Sequence, residues 1–324
     1  MIESPPPATR VAAAIATHRR DKELHRLLAC LAGSEFPVAA GAFVADNAAS
    51  NTTRDLCAAA PLPCAWIPLT VNNGPGPAWN TAAAKALADS AVTHVLVLDD
   101  DVVPPPDALG TLLQALEVSR TAAAAPLLFD ERERLWGFPE PREPALRAAI
   151  RRVHTREECR AALGAEPHAF CWATGACMLY ARRAFESAGF FSENFWMLGE
   201  DLDYSMRVAA TLGGVFTAQV AVPHLPPPSL DPRAERIAGR GKFLALLQNL
   251  SFLAFHSPHS AHLRSYLAGN FRRYLCTEGF TPGNLRDASA AFWLGAMRHQ
   301  PAGAPGGKRL RERAARRTGN SPGG

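Results

Sequence analysis

The sequence predicts an α/β fold, a mostly parallel sheet flanked by helices, followed by a helical C-terminal extension. Two observations carry that prediction. Short apolar runs alternate with stretches whose leucines and alanines recur at helical spacing, which is the pattern of successive βαβ units. Polar residues then gather directly after several of the runs, and the carboxyl edge of an open parallel sheet is where ligands bind.

The elements follow in order. Val11 to Ala16 is an apolar run ending in Thr17, His18, Arg19 and Arg20, a strand and then a polar loop. Leu24, Leu27, Leu28 and Leu31 recur at i, i+3, i+4, i+7, so a helix packs back on that strand. Ala42 to Ala45 is a second strand, closed by Asp46 and Asn47, and Ala65 to Leu69 is a short third one. Asn72 to Asn80 reads as a Gly-rich loop, stiffened by Pro75 and Pro77, which also remove N–H donors. Asn72, Asn73 and Asn80 are candidate hydrogen-bonding side chains in it. Trp79, Ala82, Ala83, Ala86 and Leu87 give the next helical stripe. Val95 to Leu98 is the fourth strand, and Asp99, Asp100 and Asp101 stand at its end. Leu109, Leu112, Leu113 and Leu116 mark a further helix, with Asp107 near its start, where an acid suits the helix dipole.

Residues 129–167 are rich in Arg, Glu and Pro and read as a long excursion with one short helix. An ordered block covers 170–180 and continues from Phe190 to Asp203. Tyr204 to Leu212 has helical spacing, and Val215 to Val222 reads as a strand leading to His224. Pro226 to Pro228 is a linker, mostly helical sequence runs to about Arg298, and the last 24 residues read as a basic, disordered tail. The expected organisation is a catalytic domain over 8–228, a helical region over 229–300 and the tail over 301–324.

Composition excludes several classes. A net charge of +4 in 324 residues does not imply a nucleic-acid partner, and the basic excess lies in Lys308, Arg309, Arg311, Arg313, Arg316 and Arg317. Seven cysteines with no CxxC pair suit a reducing cytosol. The start of the chain lacks the basic and apolar regions of a signal peptide, and no segment approaches the roughly 20 apolar residues of a membrane span. The expected location is cytoplasmic. There is no GxGxxG after the first strand, against a dinucleotide enzyme, and no GxxxxGK[ST], against a P-loop NTPase. The apolar face from Phe243 to Phe255 reads as a helix packed on the catalytic domain or in a homo-oligomer interface. A sharper reading is an interfacial membrane helix serving a lipid-linked acceptor, peripheral on the inner face of the membrane.

The acid triplet is the centre of the functional reading. Three adjacent carboxylates repel one another unless a cation sits among them, and hard oxygen ligands suit Mg²⁺ or Mn²⁺. An acidic surface turn is the plainer reading of the triplet taken alone. The order of motifs decides more: Thr17-His18-Arg19, Asp46-Asn47, the loop from Asn72, Asp99 to Asp101, Trp172 to Tyr180, Gly199-Glu200-Asp201-Leu202-Asp203 and His224. This series, over roughly residues 10–250, resembles the family 2 inverting glycosyltransferases with a GT-A fold. The stretches around Asp99 to Asp101 and from Gly199 to Arg207 are most similar to bacterial galactofuranosyltransferases and rhamnosyltransferases.

The resemblance implies metal-dependent transfer of a hexose or deoxyhexose from a UDP- or dTDP-sugar to a hydroxyl of a glycan, lipid-linked or small-molecule acceptor. It implies Asp201 as the catalytic base and Asp101, Asp99 and His224 as ligands of Mn²⁺ or Mg²⁺. The donor would meet Thr17, His18, Arg19, Asp46, Asn73, Gly74, Asp99 and Asp100, and the acceptor Trp172, Trp196 and Glu200. The chemistry asks for these residue types on its own account. A departing nucleoside diphosphate develops negative charge that a metal neutralises, and the attacking hydroxyl must lose its proton to a base within reach. Each assignment has a structural rival. Asp201 reads also as a helix N-cap, Asp46-Asn47 as a turn, His224 as a structural histidine, and the aromatics as core. Arg240 and Lys242 read as diphosphate contacts or as solvated charges. A sugar nucleotidylyltransferase is a second enzyme class, but Thr17 to Arg20 lacks the glycines its signature needs. A catalytically silent nucleotide-sugar-binding protein is the third reading.

Overall fold

A computed structural model describes residues 9–195, 197–226, 232–260 and 263–297. The chain runs through β1 (Val11–Thr17), α1 (Asp21–Ala32), β2 (Ala42–Asp46), α2 (Asn51–Ala58), β3 (Cys64–Pro68), α3 (Pro75–Leu87) and β4 (His94–Asp99). It continues with α4 (Ala108–Ser119), β5 (Ala123–Phe129), β6 (Leu135–Gly137), β7 (Glu140–Pro141), α5 (Pro144–Ile150) and α6 (Arg156–Leu163). Then come β8 (His168–Trp172), β9 (Cys177–Ala181), α7 (Arg182–Ala188), α8 (Glu200–Thr211) and β10 (Gly214–Pro223), and last α9 (Pro232–His256), α10 (Leu263–Glu278) and α11 (Pro282–Ala296).

One sheet organises these elements, in the order β3-β2-β1-β4-β9-β5-β10-β8-β7, with β6 on β5. Its first half is parallel, as the alternating pattern predicts. Beyond β4 it is mixed: β9 lies antiparallel between β4 and β5, and β8 is antiparallel to β10. The expectation of a mostly parallel sheet is corrected on that side. β5 is the strand the sequence hides, because its first half is Ala123-Ala124-Ala125, without the β-branched residues that mark strands. The excursion at 129–167 is also more ordered than expected, and α6 carries a reciprocal capping box between Thr155 and Glu158.

The two faces of β1 explain the two main cores. Val11, Ala13 and Ile15 point to one face, against Leu24, Leu27, Leu28 and Leu31 of α1 and Leu112 of α4. Ala12, Ala14 and Ala16 point to the other, against Ala78, Trp79, Ala82, Ala83 and Ala86 of α3. Alanine on both sides brings α3 close to the sheet. That helix begins at Pro75, where a missing N–H costs nothing, so the two prolines start a helix instead of stiffening a loop. α8 likewise begins earlier than its spacing suggests, at Glu200.

The last three helices form a third core. Leu247, Leu250 and Leu253 of α9 pack with Leu263, Leu267 and Tyr274 of α10, Ala288 and Ala291 of α11, and Trp172, Leu202 and Met206 of the preceding region. The apolar face of α9 is therefore buried in the protein at its centre, with Phe255 at its end exposed. Asn249 of α9 donates from Nδ2 to the carbonyls of Met197 and Leu198, at 2.9 and 2.6 Å. The C-terminal helices thus hold the segment that leads into α8. Among the described residues no helix is long and apolar enough to cross a membrane, and all seven cysteines are free thiols. The end of the linker and the basic tail fall outside the described residues.

Gly295 sets how closely α11 approaches α9. A Cβ there would stand 2.0 Å from the carbonyl oxygen of Gln248 and 2.8 Å from Cβ of Ser251. A backbone oxygen cannot swing aside as a side chain can. Gly295→Ala should therefore force the helices apart and cost about 1–3 kcal/mol as overpacking. A fall in the thermal unfolding midpoint is the expected result, and an unchanged midpoint would contradict the close approach.

Candidate active site

The ends of β1 and β4 are neighbours in register, Ala16 beside Asp99, so the polar loop after β1 meets the acid triplet. Thr17 donates its hydroxyl to Oδ2 of Asp100 at 2.7 Å. One guanidinium nitrogen of Arg20 reaches Oδ1 of Asp100 at 3.0 Å and Oδ2 of Asp101 at 2.5 Å. Asp100 is 3% exposed, with one oxygen held by each partner. As placed, Thr17 and Asp100 brace the loop, where a direct donor contact is the sequence expectation. His18 and Arg19 are exposed on the same edge, Arg19 in the left-handed region at φ 56°. Arg20 is the functional neighbour that the sequence reading leaves out. Its only signal is its place at the end of a polar run opposite three acids.

β10 brings the histidine. Three backbone bonds fix its end: His224 N–H to Phe129 O of β5 at 2.7 Å, and, to the stretch after β4, Val103 N–H to Pro223 O and Leu225 N–H to Asp101 O, both at 2.8 Å. They set His224 Nε2 at 3.2 Å from Oδ1 of Asp101, and the Trp136 ring stacks on the imidazole at 3.9 Å. One ligand atom each from Asp99, Asp101 and His224 lies within 4.8 Å of the others. Oδ1 of Asp101 and Nδ1 of His224 are buried without a well-directed hydrogen bond. Two carboxylates and an imidazole set this close, with Oδ1 of Asp101 left short of a partner, fit a divalent cation such as Mn²⁺ or Mg²⁺.

A second acidic group faces this one from the start of α8. Leu198 and Gly199 take φ of 67° and 121°, so the chain enters the helix through a left-handed turn that Gly199 accommodates. Gly199, and not Asp201, is the N-cap. The Asp201 carboxylate accepts from Gly175 N–H and from Leu202 N–H, both at 2.8 Å. Burial still pushes its carboxyl above the usual range, against those donors. Glu200 is 3% exposed, its Oε2 has no partner, and burial followed by the charges of Asp201 and Asp99 raises it well above the usual range. Asp203 is tied to Arg207 at 2.9 Å, and Arg207 also donates to the carbonyls of Phe190 and Ala188.

Two glycines make room for these carboxylates. A Cβ on Gly175 would lie 2.6 Å from Cβ of Asp201, and one on Gly76 would lie 3.2 Å from Cβ and Cγ of Glu200. Both are site residues that a reading by side-chain chemistry passes over.

The remaining expected residues divide. Asp46 is fully buried, and its carboxylate accepts from Ala48 N–H, Ser50 N–H and Trp66 Nε1, at 2.8, 2.7 and 3.2 Å. As placed it builds the turn after β2. Asn47 donates to the carbonyl of Gly74 at 3.3 Å, which joins that turn to the start of α3. Gly74 is buried and Asn73 exposed. Asn80 spends both ends of its amide on the backbone of Phe191, at 2.9 Å each. Trp172 is 4% exposed and packs on Tyr266 of α10, so it is a core residue where acceptor contact is the expectation. Arg240 pairs with Asp287 at 2.7 Å. Trp196 lies outside the described residues.

The charges set a pH dependence. Burial raises Asp99 well above the usual range, with Asp101, Asp100 and Asp201 adding to it, and raises Asp100 to about 6 against Arg20 and Thr17. An acid that titrates higher folded than unfolded binds protons on folding. Its contribution therefore grows as pH falls through the folded value toward about 4. Burial also pushes Asp101 up, but His224 and Arg20 outweigh it and hold it low, so its stabilisation is lost only below that window. Without divalent cation, the thermal midpoint should rise between about pH 8 and about pH 5. Calorimetry in chelator checks this, and a midpoint that falls over the window refutes it.

Comparison with known proteins agrees with the geometry. No curated protein sequence matches the chain. Among solved structures, S. aureus TarS (residues 1–349) aligns with a TM-score of 0.58 at 15% identity, covering 89% of this chain and 81% of its own. The same protein in complex with UDP-GlcNAc gives 0.59 at 14%, covering 87% and 79%. GalNAc-T7 with UDP, GalNAc and Mn²⁺ gives 0.53 at 13%, covering 82% and 56%. At these identities the likeness is one of fold. The sequence model described as glycosyltransferase like family 2 matches residues 6–238, most of the chain, and the protein accordingly belongs to that family of glycosyltransferases.

Proposed function

We propose that this glycosyltransferase moves a hexosyl or deoxyhexosyl group, with inversion, from a UDP- or dTDP-sugar to a hydroxyl of a glycan, lipid-linked or small-molecule acceptor, and that it depends on Mn²⁺ or Mg²⁺. The observation that carries the reading is the convergence of two acidic groups on one sheet edge. Asp99, Asp101 and His224 cluster on one side. Asp201, fixed by the Gly175 N–H, lies near enough that its charge raises Asp99. TarS solved with UDP-GlcNAc and GalNAc-T7 solved with UDP, GalNAc and Mn²⁺ support a nucleotide-sugar donor.

Asp99, Asp101 and His224 would hold the cation, which when bound supplies positive charge against the diphosphate leaving group. The protein does the rest. Arg20 and Thr17 hold Asp100 and Asp101 so that the triplet does not spring apart. The turn at Asp46 and the exposed His18, Arg19 and Asn73 border the donor side. Asp201 takes the proton of the attacking hydroxyl as the new bond forms at the anomeric carbon. Its raised carboxyl is a better proton acceptor than a free aspartate. One base and one displacement invert the centre. Glu200, buried and short of a partner, supplies a polar group beside that base for the acceptor. The family match leaves the nucleotidylyltransferase reading without support, and turnover separates the enzyme from a silent binding protein.

Asp201→Asn should lower transfer by about 10²–10⁴-fold while donor affinity stays near that of the parent. Rates with a panel of UDP- and dTDP-sugars, set beside calorimetric donor binding, measure both, and normal transfer by this variant would assign the base elsewhere. Asp101→Ala should weaken Mn²⁺-dependent donor binding by more than the roughly 10–100-fold that a supporting residue costs. Unchanged calorimetric affinity in Mn²⁺ would remove Asp101 from the ligand set.

A further inference from the structure

Among the described residues nine large apolar side chains are exposed, and six of them lie between Phe255 and Met297: Phe255, Phe280, Leu285, Trp293, Leu294 and Met297. Of the α9 face that the sequence singles out only Phe255 is among them, its centre at Leu247, Leu250 and Leu253 being buried. Several border a groove of about 600 Å³ between α9, α10 and α11, lined by Phe255, Phe271, Phe280, Phe292 and Trp293. Two cations, Arg264 and Arg272, stand on its wall, both exposed. Neither is in an ion pair among the described residues. An exposed apolar patch of this kind marks an interaction surface.

Charge selects the occupant. Residues 263–324 carry eleven Lys and Arg against three acids, in a chain whose total is only +4, so the rest of the protein is net negative. Residues 298–324 hold seven of those cations and one acid, and they would repel Arg264 and Arg272 if they filled the groove. A second copy in a two-fold contact would set this same cation-bearing face against itself. An anionic phospholipid surface answers both features at once. Its acyl chains match the aromatic lining, and its phosphates match the arginines and the basic stretch that follows.

We propose that the α9–α11 face docks on anionic bilayers, with the groove taking acyl chains and Arg264 and Arg272 meeting headgroup phosphates. Docking is peripheral, since no described helix is fit to span. The test uses the full chain and sedimentation with two kinds of vesicle, phosphatidylcholine alone and phosphatidylcholine with phosphatidylglycerol. Binding should require phosphatidylglycerol and weaken as salt is raised. The double variants Phe280→Ser/Trp293→Ser and Arg264→Gln/Arg272→Gln should each lower partitioning by about tenfold or more. All four residues are exposed, so unfolding midpoints should stay at the parent value and a loss of binding can be read as loss of docking. Absence of the parent from phosphatidylglycerol vesicles would overturn the proposal. So would binding by either double variant at the parent's level, or a parent dimer in sedimentation velocity that Phe280→Ser/Trp293→Ser dissolves.

Discussion

The guanidinium of Arg20 spans Asp100 and Asp101, and the site rests on that one contact. Asp99, Asp100, Asp101, Glu200 and Asp201 are gathered at one edge of the sheet, and burial works against the charge of each. A buried carboxylate is costly unless a countercharge and hydrogen bonds meet it. Among the described residues Arg20 is the one Lys or Arg in ion pairs with these groups, and it sits against Asp100 and Asp101. Thr17 takes the remaining oxygen of Asp100. The middle aspartate is in this sense the keel of the motif: with Arg20 it frees its neighbours Asp99 and Asp101 to turn toward His224.

Around that contact the fold supplies three independent supports. The parallel pairing of β1 with β4 brings the Thr17 loop to the triplet. The backbone clamp between β10 and the stretch after β4 brings His224. Gly175, in the turn between β8 and β9, offers its N–H to Asp201. The residues come from four distant parts of the chain, yet each is placed by main-chain geometry. Such placement suits chemistry that asks for groups held before the reactants arrive.

Much of this was legible in the sequence. β1, β2, β3 and β4 and the helices α1, α3 and α4 show their periodicity, α2 between β2 and β3 does not, and the polar residues at the strand ends show the ligand edge. Asp99, Asp101 and His224 fall together as their order suggests. What stayed hidden has physical reasons. β5 opens on alanines, which signal neither strand nor loop. Gly175 and Gly76 act by what they lack, and a missing Cβ carries no chemical mark. Arg20 and Trp136 are ordinary residues until the sheet order sets them beside their partners. Asp46 and Trp172 show the reverse case, since a polar or aromatic side chain of the right type also serves a turn or a core.

The clasp of Asn249 on the carbonyls of Met197 and Leu198 has a consequence for how such enzymes are divided. The stretch common to the family stops at residue 238, short of that asparagine. A boundary drawn by shared ancestry therefore cuts through the working unit. A graft of residues 6–238 onto a foreign scaffold would carry every acid of the site and leave behind the amide that steadies the turn into α8. In this protein the modular border and the mechanical border are different lines, and the helices beyond the first belong inside the second.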